Sequence, residues 1–389
     1  MTAPDPAPTL TVAQVIHSLG SGGAEAMLVE LAGVAKSAGL RLVVIGLSDA
    51  HSADGIDNRV VPKLRELGAT VHEMHTARYD FSAAFGLAKI LRDEHVDIVH
   101  THLKHADVVG GAAARLAHIP SVSTLHVIDI PTTRMHHARV KFGLFARQRL
   151  SSNVIALSSA QRKWYDELGG DEASIVVLPN GIGEPAVAAD RSAVRAELGV
   201  PEGELLAVCV SLMRPEKGHA DLVEAVRLLP ADVPLVVAMA GDGPLLDGIR
   251  TSVESDPVLR ERIRVLGFRS DVADLIDAAD FIVHPSLEDA LPTALISALA
   301  GAKPIVATNV GGIPDIVGPG CGMLVQSGNP AALSSGIAEM TSAALHESTA
   351  FADMRQAARD RYESNFSAEV WVKNLRAVYQ RAIDARRRG

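Results

Sequence analysis

Arg214 and Lys217 lie three residues apart in the loop that follows a strand-like run, Leu205 to Val210. A guanidinium and an ammonium so placed could hold a diphosphate without a metal ion; the bland reading, a solvated loop, would weigh more if either stood alone. Further along, the chain reads H-P-S-L-E-D-A-L-P-T-A-L from His284 to Leu295. Its carboxylates, Glu288 and Asp289, precede Pro292, a residue tolerated in the first turn of a helix. Val310-Gly311-Gly312 then leads into a second helix start at Ile313, and exposed backbone N–H groups at two such starts would suit a diphosphate.

Histidines form a second candidate group. His126 closes the run Ser121 to His126, which puts its imidazole at the carboxyl edge of a sheet, where a lone histidine is more often structural than catalytic. In H-T-H-L-K-H, His100 and His102 share a strand face because their spacing is two, with His105 beyond them. No carboxylate joins them at metal-ligand spacing, so lining of a cleft by His102 is favoured over metal ligation. Gly20, Gly22 and Gly23 follow the first strand and open the first helix, where backbone can approach a ligand; a tight turn needing φ > 0 explains them equally well. A dinucleotide fingerprint fits G-S-G-G-A-E poorly, since the next strand ends in Leu47-Ser48-Asp49 without the expected acid. Gly241-Asp242-Gly243-Pro244 and Gly267-Phe268-Arg269 close two further strands, in turns that are either plain βα connections or part of a ligand site.

The elements that must position these residues alternate strand and helix throughout. Strand-like runs fall at Val12 to His17, Arg41 to Leu47, Val71 to His75, Val96 to His102, Ser121 to His126 and Val154 to Leu157. Helix patterns separate them, most clearly Glu25 to Lys36, Phe85 to Arg92 and Val108 to Leu116. A second series comprises Leu205 to Val210, Leu235 to Ala240, Arg264 to Phe268, Phe281 to His284 and Pro304 to Ala307, and Phe351 to Arg388 reads as two closing helices. Two βα series imply two doubly wound α/β domains, with the Gly- and Pro-punctuated segment Pro179-Asn-Gly-Ile-Gly-Glu-Pro-Ala as the linker. A length of 389 residues agrees with two cores of ordinary size.

Composition excludes several classes. A net charge of −9 argues against a nucleic-acid partner, which needs a basic face, and no apolar stretch is long enough to span a membrane. Two cysteines, Cys209 and Cys321, offer no disulfide framework, and M-T-A-P-D-P-A-P-T lacks the basic-then-apolar order of a signal peptide, so a cytoplasmic location is expected.

Taken in order, G-S-G-G-A-E, S-T-L-H-V, P-N-G-I, R-P-E-K-G-H, A-G-D-G-P, L-G-F-R-S-D-V and V-G-G-I-P-D-I-V resemble the glycosyltransferases of family four. That resemblance, over nearly the whole chain, implies two Rossmann-like domains facing a cleft, the GT-B architecture. It implies a retaining hexosyltransferase of polysaccharide or glycoconjugate biosynthesis, which moves a sugar from a nucleoside-diphosphate sugar to an acceptor hydroxyl in a site that closes against water. Residues 1–183 would be the acceptor-side domain, 184–366 the nucleotide-sugar domain, and 367–389 a helix packing back on the first.

The resemblance also implies site roles. His126 and Asp289, with Glu288 beside it, would face the donor sugar as the catalytic group. Gly22, Gly23, Arg214, Lys217, Leu291, Pro292 and Thr293 would hold its phosphates, and Gly241, Phe268, Arg269 and Ser297 the nucleoside, with His102 on the acceptor side and no metal or other cofactor. Three positions depart from the family pattern: Leu212 where an arginine is frequent, Val127 where glycine is, and Ser297 where the second acid of a Glu-x7-Glu pair holds the ribose. A non-catalytic nucleotide-sugar-binding protein and, less favoured, a sugar-nucleotide epimerase of the same architecture therefore remain alternatives. The helix pattern Ala138 to Arg149, with Arg139, Lys141, Arg147 and Arg149 among Phe142, Leu144 and Phe145, suggests either peripheral membrane contact or simply a helix solvated on one face.

Overall fold

The computed structural model describes residues 9–388 except 21, 50, 53–54, 57–59, 78–79, 81 and 130–132. The segment 1–8, on which the reading of the N-terminus rests, and Ser21 of the G-S-G-G turn lie outside the described residues. The chain divides into two compact units, residues 1–183 with 368–389, and residues 184–367.

The first unit is built on strands β1 (Leu10–Ile16), β2 (Leu40–Gly46), a short hairpin of β3 (His51–Ser52) and β4 (Gly55–Ile56), then β5 (Thr70–Glu73), β6 (Ile98–His102), β7 (Ser121–Thr124), β8 (Asn153–Ala156) and β9 (Ile175–Val177). All but the hairpin form one parallel sheet in the order β5-β2-β1-β6-β7-β8-β9. Runs such as Leu42-Val-Val-Ile45 are apolar throughout because helices cover both faces of a parallel sheet. The last helix, Ala368–Arg388, buries Trp371, Leu375, Tyr379 and Ile383 within this unit, packing on the helix Gly23–Ala35 and on β7.

The second unit carries β10 (Leu205–Val210), β11 (Leu235–Ala240), β12 (Ile263–Gly267), β13 (Phe281–His284), β14 (Ile305–Thr308) and β15 (Gly322–Val325) in a parallel sheet ordered β12-β11-β10-β13-β14-β15. Val237, Met239, Phe281 and Val283 fill its core with Leu222, Ile249, Ile337 and Met340 from the helices. In each sheet the chain winds outward on one side and then restarts beside its first strand, so the order reverses between β1 and β6 and again between β10 and β13. The carboxyl ends of strands at such a reversal are where open α/β sheets bind ligands.

Several expected boundaries shift. Val96 and Asp97 precede β6: Val96 N–H bonds back to Leu91 O of the preceding helix, and Asp97 N–H bonds to Thr11 O of β1 one step before the ladder begins at Val12 and Ile98. Likewise β7 stops at Thr124, two residues short of His126. The hairpin strands and β9, of two and three residues, are too short for a periodic signal, and β15 starts inside the turn-like Gly318-Pro-Gly-Cys-Gly322. A π-helical turn, Tyr362–Phe366, separates the helix Thr349–Arg361 from the closing helix. Arg147, expected on a basic face, is instead buried and ion-paired with Asp107, and its Nε donates to Ser123 Oγ at 2.9 Å. Thr101 and Ser123 donate to the other carboxylate oxygen at 2.6 and 2.7 Å, so this charge is spent inside the fold.

Candidate functional site

At the reversal in the second unit, β10 runs into a single 3-10 turn, Pro215–Lys217, closed by Gly218 at φ 67°. A side chain on Gly218 would strike the Pro285 carbonyl as well as strain the left-handed backbone. The turn delivers Lys217 to Asp289, where Nζ donates to Oδ2 at 2.6 Å. The same oxygen lies 3.1 Å from His284 Nε2, and Ser286 Oγ lies 3.0 Å from that nitrogen. Burial pushes the Asp289 carboxyl up, but the hydrogen bond from His284 and the charge of Lys217 outweigh it and hold the carboxyl below its ordinary range. Glu288, by contrast, is exposed.

The loop is clamped through its backbone. Leu287 and Glu288 N–H donate to Glu216 O at 2.8 and 3.2 Å, and Gly312 N–H donates to Asp289 O at 3.0 Å. The last contact corrects the expectation for the Val310-Gly311-Gly312 turn. Its Gly312 N–H is consumed by the Asp289 carbonyl, and Gly311, at φ 53°, has no room for a side chain against the same carbonyl. These glycines seat the Asp289 loop.

Around this centre the expected residues divide. Arg214 is exposed, with no side-chain partner among the described residues, and Leu212 beside it is half exposed. Leu291 is buried, and Pro292 caps the helix that begins at Thr293. One turn on, Ser297 Oγ donates to Thr293 O at 3.4 Å. Gly241 donates its N–H to Gly267 O at 2.8 Å and packs without space for a side chain against the Ser211 carbonyl. Phe268 is 70% exposed at the end of β12, while the Arg269 guanidinium is held by Asp271 and Glu197, each at 2.6 Å, which raises its pKa further.

Two histidines escaped selection, although both stand in the motifs: His219 ends R-P-E-K-G-H and His284 begins H-P-S-L-E-D. Ser211 Oγ lies 3.1 Å from His219 Nε2, and burial pushes that imidazole down to about 4. The Nδ1 atoms of both are buried with no hydrogen-bond partner among the described residues.

At the reversal in the first unit, five histidines gather at the carboxyl ends of β1, β6 and β7. His17 Nδ1 lies 2.9 Å from His105 Nδ1. His126 Nε2 lies 2.9 Å from His102 Nδ1, and His102 Nε2 lies 2.7 Å from Gln14 Oε1. Gln14 Nε2 donates to the Tyr379 hydroxyl at 3.0 Å, which lies 2.8 Å from His100 Nδ1, and His100 Nε2 lies 2.7 Å from Thr124 Oγ1. His102, expected to line a cleft on the acceptor side, is buried with both ring nitrogens engaged, a link within the unit. Burial pushes His100 down to about 3, His126 to about 4, and His102 well below the usual histidine value, so all three are neutral near pH 7. A cavity of about 10 Å³, room for one water, lies among His100, His102, His126, Leu28 and Trp371. Among the described residues no group of three or more His, Cys, Asp or Glu could hold a metal ion.

Comparison with known proteins accounts for both units. Residues 21–183 match the model of Glycosyltransferase Family 4, and residues 190–361 that of Glycosyl transferases group 1. The chain is 30% identical to a putative teichuronic acid biosynthesis glycosyltransferase of Bacillus subtilis, over 74% of this chain and 72% of that protein. It is 28% identical to an Escherichia coli UDP-Gal:alpha-D-GlcNAc-diphosphoundecaprenol alpha-1,3-galactosyltransferase, over 60% of this chain and 63% of that one. In fold it is similar to Anabaena HepE, solved in complex with UDP, with a TM-score of 0.80 and 22% identity over 95% of this chain and 100% of that chain. With both units matched and a 30% identical relative covered over most of its length, the chain belongs to the family 4 glycosyltransferases, on a GT-B fold of two Rossmann-like units.

Proposed function

We propose that this glycosyltransferase moves a sugar from a nucleoside-diphosphate sugar to an acceptor hydroxyl with retention of anomeric configuration. The observation that carries the reading is the Lys217–Asp289 pair at the strand-order reversal of the second unit, with the unpartnered Arg214 on the same loop. A diphosphate offers Lys217 more charge than one carboxylate does, and Arg214 is free to join it. Asp289, relieved of its ammonium but still bonded to His284, then accepts hydrogen bonds from the sugar. Held in this way it is suited to orienting hydroxyls and poorly suited to attack, so a covalent sugar–enzyme intermediate is not invoked. The bond from the anomeric carbon to the diphosphate oxygen breaks as the acceptor oxygen adds on the same face. The departing phosphate oxygen takes the acceptor's proton. Cationic side chains supply the stabilisation of the leaving group, so the reaction is metal-independent.

The relative from Escherichia coli is named for a diphosphoundecaprenol-linked substrate. A lipid-linked acceptor of that kind suits the helix Arg134–Leu150, which contains no acid and exposes Met135, Phe142 and Phe145 beside Arg139, Lys141 and Arg149. Peripheral contact with an anionic membrane through this face follows from its chemistry, though no described helix is long and apolar enough to cross a membrane.

Incubation with a panel of nucleoside-diphosphate sugars, with and without lipid-linked acceptors and with a chelator, tests the reading. Acceptor-dependent release of one nucleotide, unaffected by chelation, is expected. Tight nucleotide-sugar binding with no release on any acceptor would favour a non-catalytic binding protein, for which Leu212 and Ser297 are the motivating departures.

A further inference from the structure

The histidine chain of the first unit has a property beyond packing. Its five links run His126, His102, Gln14, Tyr379, His100, Thr124, and each is short enough to contain one proton, at 2.7 to 3.0 Å. A neutral imidazole carries a single N–H, so a proton on one ring nitrogen forces the other to accept. The ring assignments are therefore coupled. One member of the chain is not free to choose: the Gln14 amide has a donor end and an acceptor end. With Oε1 toward His102, it can only accept, so His102 carries its proton on Nε2 and presents a bare Nδ1. His126 must then donate from Nε2. On the other side the amide nitrogen donates to Tyr379, which turns the phenol proton toward His100 Nδ1 and leaves His100 Nε2–H for Thr124. All five bonds point the same way.

We propose that Gln14 and Tyr379 are positioning residues that fix the tautomer of His126, leaving its Nδ1 as a lone-pair acceptor for a sugar hydroxyl. The sugar contact rests on the transferase function proposed above, whereas the tautomer rests on the hydrogen-bond geometry and on the neutrality of the buried rings. Neutrality of the three rings is what makes the chain directional, and their burial maintains it. The arrangement also gives the closing helix a task at the site. Tyr379 lies 365 residues from Gln14 in sequence and 279 from His100, yet completes the link between them. The chain leaves His126 Nδ1 as the ring nitrogen without a protein partner among the described residues.

Nitrogen-15 NMR of the imidazoles in the full-length protein reads the tautomer without any substrate. His126 is expected with Nε2 protonated and Nδ1 bare near pH 7. Protonation at Nδ1 would mean that the Gln14 amide is turned the other way and every bond reversed, which overturns the proposal. Tyr379→Phe keeps the buried ring and cuts the chain, and Gln14→Met keeps the volume and removes the polarity. In both, His126 should become a mixture of tautomers. Loss of one neutral hydrogen bond at the sugar corresponds to a fall in kcat of up to about tenfold, with donor KM little changed. An unchanged tautomer in both variants would reduce Gln14 and Tyr379 to packing. Since the spectrum needs no turnover, the predicted tautomer in a protein that transfers no sugar would count against the transferase reading and leave the chain intact.

Discussion

Both units place their polar residues at the carboxyl edge of a parallel sheet beside a reversal of strand order, yet the two edges are chemically opposite. The first centres on a neutral chain: His100, His102 and His126 are buried and uncharged, joined by Gln14, Tyr379 and Thr124. A buried ion pair of the same unit, Arg147 with Asp107, is satisfied within the fold. The second edge keeps charge near the surface, in Lys217, Asp289 and the unpartnered Arg214. One architecture therefore carries a hydrogen-bonded imidazole chain at one edge and a lysine–carboxylate pair at the other.

Acid should expose that difference most. In the unfolded chain the three histidines titrate near 6.5, whereas in the fold they are held down, His126 to about 4 and His100 to about 3. Between those values the unfolded state binds protons that the folded state refuses, so stability is full above about pH 6.5 and falls as pH drops. Each group contributes about 1.4 kcal/mol per pH unit across its window. The second unit has one comparable group, His219 at about 4, and its Asp289, with a depressed carboxyl, loses its contribution only below the ordinary carboxylate range. The first unit should open first. Both tryptophans, Trp164 and Trp371, belong to it, so their fluorescence between pH 7 and about 4.5 should change before nucleoside-diphosphate binding by the second unit is lost. Simultaneous loss, or loss of binding first, would break the contrast.

Much of this contrast was legible in the sequence, and what was not has physical reasons. Leu205–Val210, Leu235–Ala240 and Phe281–His284 form the strands expected of them because buried parallel strands are continuous apolar runs with nothing polar to blur their ends. β9 is an apolar run of only three residues, Ile-Val-Val, and β15 emerges from the turn-like Gly318-Pro-Gly-Cys-Gly322, so neither stands out. Candidate residues on motifs could be picked out, but not the partners that a fold brings from afar. Nothing around Gln14 or Tyr379 marks either as a neighbour of His102 or His100, and the Arg147–Asp107 pair spans 40 positions. Lys217 and Asp289 were each selected, for phosphate and for sugar, yet their contact across 72 positions is a property of the folded unit.

That contact sharpens the second prediction. Lys217→Ala should weaken binding of a nucleoside diphosphate by about 1.5–3 kcal/mol, the range for a charge-assisted hydrogen bond, and binding of the bare nucleoside far less. The substitution also leaves the half-buried Asp289 carboxylate with His284 as its remaining ring partner, so repulsion of phosphate adds to the loss. Calorimetry with the nucleoside and its diphosphate separates the two. Equal losses would mean that the charged edge does not meet the phosphates, and the contrast with the neutral edge would lose its functional meaning.

The smallest expected effect tests a place where the charged edge has given up a charge. Ser297 stands where the family pattern has an acid, and its hydroxyl donates to Thr293 O one turn earlier on its own helix, at 3.4 Å. A serine in that state lends a ribose at most a weak acceptor. Ser297→Glu would restore a carboxylate able to accept from two ribose hydroxyls. A neutral hydrogen bond contributes about 0.5–1.5 kcal/mol and a charged one about 1.5–3, so the expected gain in donor affinity is roughly tenfold at most. Ser297 is half-buried, with Ala298 on the same helix fully buried, so the new side chain has an open direction to take. If the pocket had been reshaped around serine, the larger anion would instead be buried without a partner and binding would fall for every nucleotide. Titrating several nucleoside diphosphates against both forms distinguishes these outcomes. Tighter binding of one of them assigns Ser297 to the ribose, and uniform loss in a protein with unaltered circular dichroism removes it from the nucleoside site.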